Sequence, residues 1–169
     1  MDMRSALNTA VEFEKKVRDT YLASLEKSTS ELGRKILRLM ASEEDDHVRY
    51  LESKLAALES TPVPSADDLT SLLPSKKEMT DAAKTLETKL EAGSADAELA
   101  LLQKVRDVEV ETNTFYRNMV NTLPREGAAF FQRFVEIENG HLYLVESEID
   151  HLQHNGAWIA IDHGELRNF

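Results

Sequence analysis

The chain has 169 residues, 41% of them apolar, a formal net charge of −11 and no cysteine. This length and apolar content suit one hydrophobic core, so we expect a single domain over residues 1–169. The acidic balance argues against nucleic acid and anionic membranes as partners, because phosphate binding needs clustered Lys and Arg. The lack of cysteine excludes disulfides, zinc–thiolate sites, iron–sulfur clusters and thiol catalysis in this chain.

Targeting signals and helix breakers are scarce in this sequence. No apolar run approaches the length of a membrane span, and residues 1–16 lack the apolar core of a signal peptide. We therefore expect a cytoplasmic protein without membrane contact. All four prolines lie between long periodic segments, which is typical of a largely helical chain.

Apolar residues spaced by threes and fours predict two helices in the first third of the chain, over residues 3–26 and 30–58. The expected buried face of the first helix comprises Leu7, Ala10, Val11, Val17, Tyr21, Leu22 and Leu25. That of the second comprises Ile36, Leu37, Met40, Val48, Leu51 and Leu55. Because the connection between them is short, we expect an antiparallel hairpin over residues 3–58.

A second antiparallel pair is predicted over residues 96–121 and 125–153, which gives a hairpin over 96–153. The expected buried faces comprise Leu99, Leu102, Val105, Thr112, Tyr116, Met119 and Val120, and then Phe131, Phe134, Val135, Leu142, Val145, Ile149 and Leu152. A crossover over 59–95, with a predicted short helix over 76–91, joins the hairpins. The sequence thus predicts an all-α four-helix bundle with one long crossover. In the tail, 154–169, we expect Trp158 to pack on the bundle or in a subunit contact.

The two predicted hairpins are copies of each other. The aligned pairs are Glu14 with Glu109, Tyr21 with Tyr116, Gly33 with Gly127, Glu44 with Glu138, and His47 with His141. The offset is 95 residues for the first two pairs and 94 for the others. The change falls in the interhelix loop, where insertions are tolerated. This repeat implies a pseudo-twofold axis through the bundle.

Acidic side chains interrupt each apolar face near its middle, and a histidine follows three residues later in the second and fourth helices. The interrupting residues are Glu14, Glu44, His47, Glu109, Glu138 and His141. A buried carboxylate without a partner is costly, and four together repel one another. The nearest cations, Arg18 and Arg106, fall at the edges of these faces. Two metal cations are the simplest neutralising charge.

The ligand spacing also fits metal binding. Residues three apart share one face of a helix, so each Glu-x-x-His pair can hold one ion, and a glutamate from each other helix adds a ligand. Mixed carboxylate and imidazole ligation suits iron or manganese, with zinc as an alternative. We therefore predict two iron ions, with manganese or a mixed pair as alternatives. The opposing interpretation is a core with satisfied histidines and carboxylates that are in fact exposed.

A third Glu-x-x-His pair, Glu148 with His151, lies about ten residues after Glu138. There the helical phase has rotated, and Ile149 takes the core position, so we predict that this pair lies on the surface. We also expect the C-terminal histidines not to bind metal; they are His151, His154 and His163.

Tyr21 and Tyr116 each follow a predicted ligand by seven residues, two turns along the same face. We predict either a hydrogen bond from each phenol to a ligand carboxylate, with a redox or proton-transfer role as an extension, or ordinary core tyrosines. Gly140, between two ligands, either admits a close neighbour or simply faces outward, and we expect the second.

These motifs resemble the ferritin-like superfamily, and most closely its rubrerythrin-like branch. The resemblance covers residues 5–55 and 98–152 and rests on Glu14 with Tyr21, Glu44-Asp-Asp-His47, Glu109 with Tyr116, and Glu138-Asn-Gly-His141. It implies a ferritin-like bundle with a di-iron centre that reacts with oxygen or peroxide, as a peroxidase or ferroxidase. Similarity to bacterioferritin sites implies that Glu44 and Glu138 bridge the ions and that Glu14 and Glu109 are terminal ligands.

The chain departs from this family at identifiable positions. Thr112 stands where rubrerythrins have a further glutamate, and Asp45 stands where bacterioferritins have a haem-ligating methionine. The chain has no four-cysteine rubredoxin domain either. We therefore expect no haem, an external electron donor, and a homodimer or larger oligomer. An iron-storage cage subunit and a bundle with purely structural metal are the alternative functions.

Overall fold

The computed structural model describes residues 1–61, 64–71, 73 and 95–159. Within these ranges the chain forms four helices and no strand: α1 (Met3–Lys27), α2 (Glu31–Ala57), α3 (Ala95–Thr122) and α4 (Arg125–Asn155). The four predicted long helices are confirmed, with ends that differ by at most two residues. The predicted short helix over 76–91 lies outside the described residues.

Short polar side chains and a glycine define the helix ends. The Asp2 carboxylate accepts a hydrogen bond from the Ser5 amide at the start of α1, and the Ser30 hydroxyl accepts one from Gly33 at the start of α2. Each such cap stabilises a helix by about 1 kcal/mol. Gly156 ends α4 with φ of 68°, in the left-handed region that glycine adopts without a steric penalty.

The helices pack as two hairpins, α1 with α2 and α3 with α4, and α1 also packs along α3. The short connections make the helices of each hairpin antiparallel. One apolar cluster lies at one end of the helices and includes Leu7, Leu51, Tyr116, Phe131 and Phe134. A second lies at the other end and includes Val17, Leu37, Met40, Leu102 and Val145. The predicted metal ligands lie between these clusters along every helix.

The predicted buried faces were wrong at their edges. Leu22 is 43% exposed, because it lies about 100° around α1 from the buried Tyr21. In α4, Leu142 was predicted to be buried but is half-buried, whereas Leu144, which was not predicted, is buried. The centres of the faces were predicted well, and the residues beside them were not.

The tail after α4 packs back onto the bundle. The Trp158 indole is buried and lies directly over Gly33, where an added Cβ would be 2.5 Å from the ring. Of the two predicted positions for Trp158, the structure shows packing on the bundle. None of the described helices combines the length and apolar content that crossing a membrane requires.

Candidate metal centre

All six predicted ligands converge in the layer between the two apolar clusters, and none is more than 1% exposed. We call them the central cluster: Glu14 of α1, Glu44 and His47 of α2, Glu109 of α3, and Glu138 and His141 of α4. The 3.6-residue period of each helix turns these positions inward together with the apolar residues on either side. The interpretation in which the carboxylates are exposed is therefore wrong.

Four of these residues form the core of the cluster. One ligand atom from each of Glu44, His47, Glu138 and His141 lies within 4.8 Å of the others. His47 Nδ1 is 3.2 Å from Glu44 and 3.4 Å from Glu138. His141 Nδ1 is 2.8 Å from Glu44 and 3.4 Å from Glu138. The two imidazole rings are stacked, 4° from parallel with centroids 5.3 Å apart. This arrangement can hold a metal ion.

The remaining two glutamates flank this core, each held by a tyrosine. Glu14 lies 3.4 Å from His47 Nδ1 and accepts a hydrogen bond from the Tyr116 hydroxyl. The Tyr21 hydroxyl donates to Glu109 at 2.5 Å. Each tyrosine thus contacts the glutamate of the other hairpin, and this symmetry matches the sequence repeat. The predicted hydrogen bonds to cluster carboxylates are present, whereas a catalytic role for the phenols stays a prediction.

The arginines nearest to the cluster are engaged elsewhere. Arg18 pairs with Asp19 at 2.9 Å and with Asp45 at 3.1 Å. Arg106 pairs with Asp107 at 3.3 Å. Among the described residues, the ion pairs of the cluster connect only its own histidines with carboxylates. The charge of the four buried carboxylates must therefore be neutralised by protons or by a bound cation.

The flanking glutamates hold their protons more strongly than ordinary carboxyl groups do. Burial raises the pKa of Glu14 and Glu109 well above the usual range, and repulsion from the carboxylates of Glu44 and Glu138 raises it further. Burial would raise the pKa of Glu44 and Glu138 as well, but attraction to the His141 imidazolium outweighs it and lowers both.

The histidines show the reverse effect. Burial favours neutral imidazole, but hydrogen bonds and attraction from the surrounding carboxylates raise the pKa of His47 and His141 well above the usual range. A metal ion bound by these groups would compete with their protons.

The unsatisfied atoms of the cluster test whether a cation fits. Among the described residues, eight buried side-chain atoms of the cluster make no hydrogen bond of good geometry: Glu14 Oε2, Glu44 Oε1, His47 Nε2, Glu109 Oε2, both Glu138 oxygens, and both His141 nitrogens. Six of them still lie within 3.9 Å of an oppositely charged group, whereas His47 Nε2 and Glu109 Oε2 have no such contact. Such atoms are rare in folded proteins. Carboxylate oxygens with free lone pairs that face one another are what a cation would satisfy. Four carboxylates and two imidazoles suit iron or manganese better than tetrahedral zinc.

Glu148, predicted to be on the surface, is fully buried, so that prediction was wrong. Its position was judged from Glu138, but it lies seven residues after His141, nearly two whole turns, and so shares the buried face. One of its carboxylate oxygens accepts a hydrogen bond from the Ile159 amide at 2.8 Å. Burial raises the pKa of Glu148 to about 8. Its partner in the motif, His151, is half-buried.

Of the other two C-terminal histidines, one lies within the described residues. His154 is exposed and contacts the Asp150 carbonyl through Nδ1 at 2.8 Å. His163 lies outside the described residues. Gly140 faces open space, as expected, because an added Cβ would meet nothing within 4 Å.

Two more buried carboxylates were not foreseen. Glu98, in the first turn of α3, accepts hydrogen bonds from the Ser28 hydroxyl at 2.8 Å and the Thr29 amide at 2.7 Å. These contacts hold the α1–α2 loop against the start of α3. No periodicity signals such a contact. Glu43 accepts from the Ser71 hydroxyl at 2.8 Å and lies 3.9 Å from His141 Nε2. The adjacent glutamates Glu43 and Glu44 in α2 were a sequence signal for this buried residue, but only Glu44 was predicted to be buried.

Comparison of the chain with protein-family models, with curated proteins and with solved structures found no match. The functional conclusion therefore depends on the chemistry of the central cluster and on the sequence motifs that form it.

Proposed function

We propose that this chain is a di-iron carboxylate protein of ferritin-like architecture, an oxidoreductase that reacts with oxygen or peroxide. One observation carries the proposal: four carboxylates and two imidazoles meet in a closed core, and within the described residues no Lys or Arg pairs with any of them. Two of their buried polar atoms, His47 Nε2 and Glu109 Oε2, have neither a hydrogen bond nor an ion pair there. The duplicated Glu-x-x-His pairs, each with a glutamate from a neighbouring helix, match the ligand pattern of dimetal carboxylate bundles. A manganese or mixed pair would use the same ligands.

The contacts suggest how the ligands divide. Glu44 and Glu138 each approach both histidines, so these two carboxylates would hold the metal ions together with the imidazoles, as the resemblance to bacterioferritin sites implies. Glu14 and Glu109 lie outside this pair and would be terminal ligands. The Thr112 hydroxyl donates to the Val108 carbonyl of its own helix at 2.9 Å, so its proton is engaged within α3 and not with the central cluster.

Bound ferrous ions would supply the electrons that reduce oxygen or peroxide. The residues of the chain orient the ligands, exclude water and hold protons. Burial, together with the charge of the adjacent glutamate, raises the pKa of the Tyr21 and Tyr116 phenols well above the usual range, so both keep the hydroxyl proton. Each phenol therefore fixes its glutamate as a hydrogen-bond donor and has a proton beside the site. An external donor would have to return the electrons.

The direct test of this function is anaerobic loading with ferrous iron, followed by exposure to oxygen or peroxide. We expect oxygen or peroxide consumption together with ferric absorption in the near ultraviolet. The double variant Glu44→Gln/Glu138→Gln, which keeps side-chain size and removes charge, should show neither. If the wild-type chain consumed no oxidant and developed no ferric absorption, the metal would be structural at most.

Assembly size separates this function from iron storage. We propose a homodimer or larger homo-oligomer; a dimer has no shell to fill. Light scattering on the purified chain distinguishes the two, because a closed cage of many subunits would favour storage.

A further inference from the structure

A cavity of about 220 Å³ lies beside the central cluster, between α2 and the first part of the crossover. It is lined by Glu43, Asp46, His47 and Tyr50 of α2 and by residues 68–70. His47 is also a member of the central cluster. The cavity therefore reaches one residue of the proposed metal centre.

Exposure decreases stepwise along this cavity. The side chains of Asp68 and Asp46 are 66% and 55% exposed, that of Glu43 is 4% exposed, and that of His47 is 1% exposed. The His47 ring lies between the cavity and the cluster, because its Nδ1 approaches the cluster glutamates. Its Nε2 is buried and has no hydrogen-bond partner among the described residues.

Three carboxylates line the cavity, those of Glu43, Asp46 and Asp68, and no Lys or Arg lines it. The cations that pair with the lining aspartates, Arg49 with Asp46 and Lys54 with Asp68, do not themselves line the cavity. A hydrogen bond from the Tyr50 hydroxyl and the Lys54 ammonium lower the pKa of Asp68, so it stays ionised. The carboxylates are hard ligands for a divalent metal ion, and the His47 imidazole nitrogen at the inner end is a ligand of intermediate hardness. They would repel an anion.

We propose that this cavity is the entry site for divalent metal ions. Asp46 and Asp68 collect the hydrated cation at the mouth, and Glu43 and His47 Nε2 offer the next ligands on its way inward. The inference rests on the proposed function, since it assumes a metal centre behind His47. It assigns a role to three carboxylates that the centre itself does not use.

The test measures the rate of Co²⁺ loading separately from its final amount. Stopped-flow absorption of the Co²⁺ ligand-field bands follows the rate, and equilibrium dialysis gives the stoichiometry. In Asp46→Asn/Asp68→Asn we expect loading about tenfold slower at low ionic strength, with a smaller difference at high salt and an unchanged final stoichiometry. The matched control is Asp19→Asn/Asp107→Asn, which removes two exposed, arginine-paired carboxylates elsewhere and should load at the wild-type rate.

A second variant tests passage rather than charge. Thr70→Trp places a large neutral side chain in the cavity and should slow loading at every ionic strength. Its control is Thr20→Trp, in a separate cavity of about 360 Å³ between α1 and α3, which should not slow loading.

The outcomes separate this inference from the proposed function. Wild-type loading rates in both cavity variants would overturn the entry site while leaving the metal centre intact. A lower final stoichiometry in Asp46→Asn/Asp68→Asn would also overturn it, because those aspartates would then be permanent ligands. A wild-type chain that binds no Co²⁺ would overturn the entry site together with the metal centre.

Discussion

Two tyrosines hold the outer glutamates of the centre, and each reaches across to the other hairpin. The phenol of Tyr21 contacts Glu109, and that of Tyr116 contacts Glu14. These contacts restrict the two flanking carboxylates to one orientation each. Groups that orient a metal ligand are worth about 10- to 100-fold in metal affinity.

The change Tyr21→Phe or Tyr116→Phe should therefore weaken Co²⁺ binding by about tenfold or more without unfolding the chain. Competition with a chelator of known affinity measures the effect, and circular dichroism checks the fold. The repeat makes each variant the control for the other, so similar losses are expected. Unchanged affinity in both would mean that Glu14 and Glu109 are not ligands held by these phenols.

Glu148 is a buried carboxyl outside the metal centre whose ionisation opposes folding. Its pKa is 4.5 without burial and about 8 in the folded chain. The unfolded chain therefore releases this proton first as pH rises. Its contribution to stability is fully present below pH 4.5 and is lost progressively as pH rises towards 8.

Glu148→Gln should remove this dependence. The variant should gain stability over the wild type as pH rises, by on the order of 3 kcal/mol between pH 4.5 and pH 7. Urea unfolding of the metal-free proteins at several pH values measures the difference, with Trp158, the single tryptophan, as the fluorescent probe. A difference that stays constant with pH would show that Glu148 ionises normally.

At the scale of elements, helical periodicity made most of the fold predictable. Long apolar faces without internal proline predicted four helices, because apolar residues spaced with a 3.6-residue period fit few structures other than an amphipathic helix. The short connections between them predicted two hairpins. Contacts made by loops and tails were not predictable in this way. The capping of the α1–α2 loop by Glu98 and the contact of the tail with Glu148 join residues far apart in sequence.

Two glycines within helices differ in the space around them. At Gly33 a methyl group would meet the Trp158 indole at 2.5 Å, whereas at Gly140 it would meet nothing within 4 Å. Gly33→Ala should destabilise the chain by about 1–3 kcal/mol through overpacking. Gly140→Ala should stabilise it by about 0.5–1 kcal/mol, because alanine is the better helix former.

Urea unfolding measures both glycine variants, and quenching of Trp158 by acrylamide reports whether the tail has moved. Greater quenching is expected in Gly33→Ala alone. Equal stability and equal quenching in the two variants would contradict the packing of the tail over α2.

At the scale of the whole molecule, a polar layer divides the hydrophobic core into two parts. The six cluster residues could be predicted from the sequence, because each breaks an apolar stripe at matched positions of a duplicated hairpin. The buried positions of Glu43 and Glu148 were missed, because the buried face is wider than the central row of apolar residues, and each of these glutamates lies beside a predicted ligand or a core residue. A metal ion that binds only the folded state would stabilise the folded chain by mass action.

The measurement that tests the account most directly is metal stoichiometry by equilibrium dialysis with elemental analysis. Wild-type chain should bind about two Fe²⁺ or Co²⁺ ions under anaerobic conditions, as the ligand count implies. Glu44→Gln/Glu138→Gln should bind none, whereas Glu148→Gln, which also removes a buried carboxylate, should still bind two. A wild-type chain without bound metal, or a double variant that still holds two ions, would contradict the central cluster as a dimetal site.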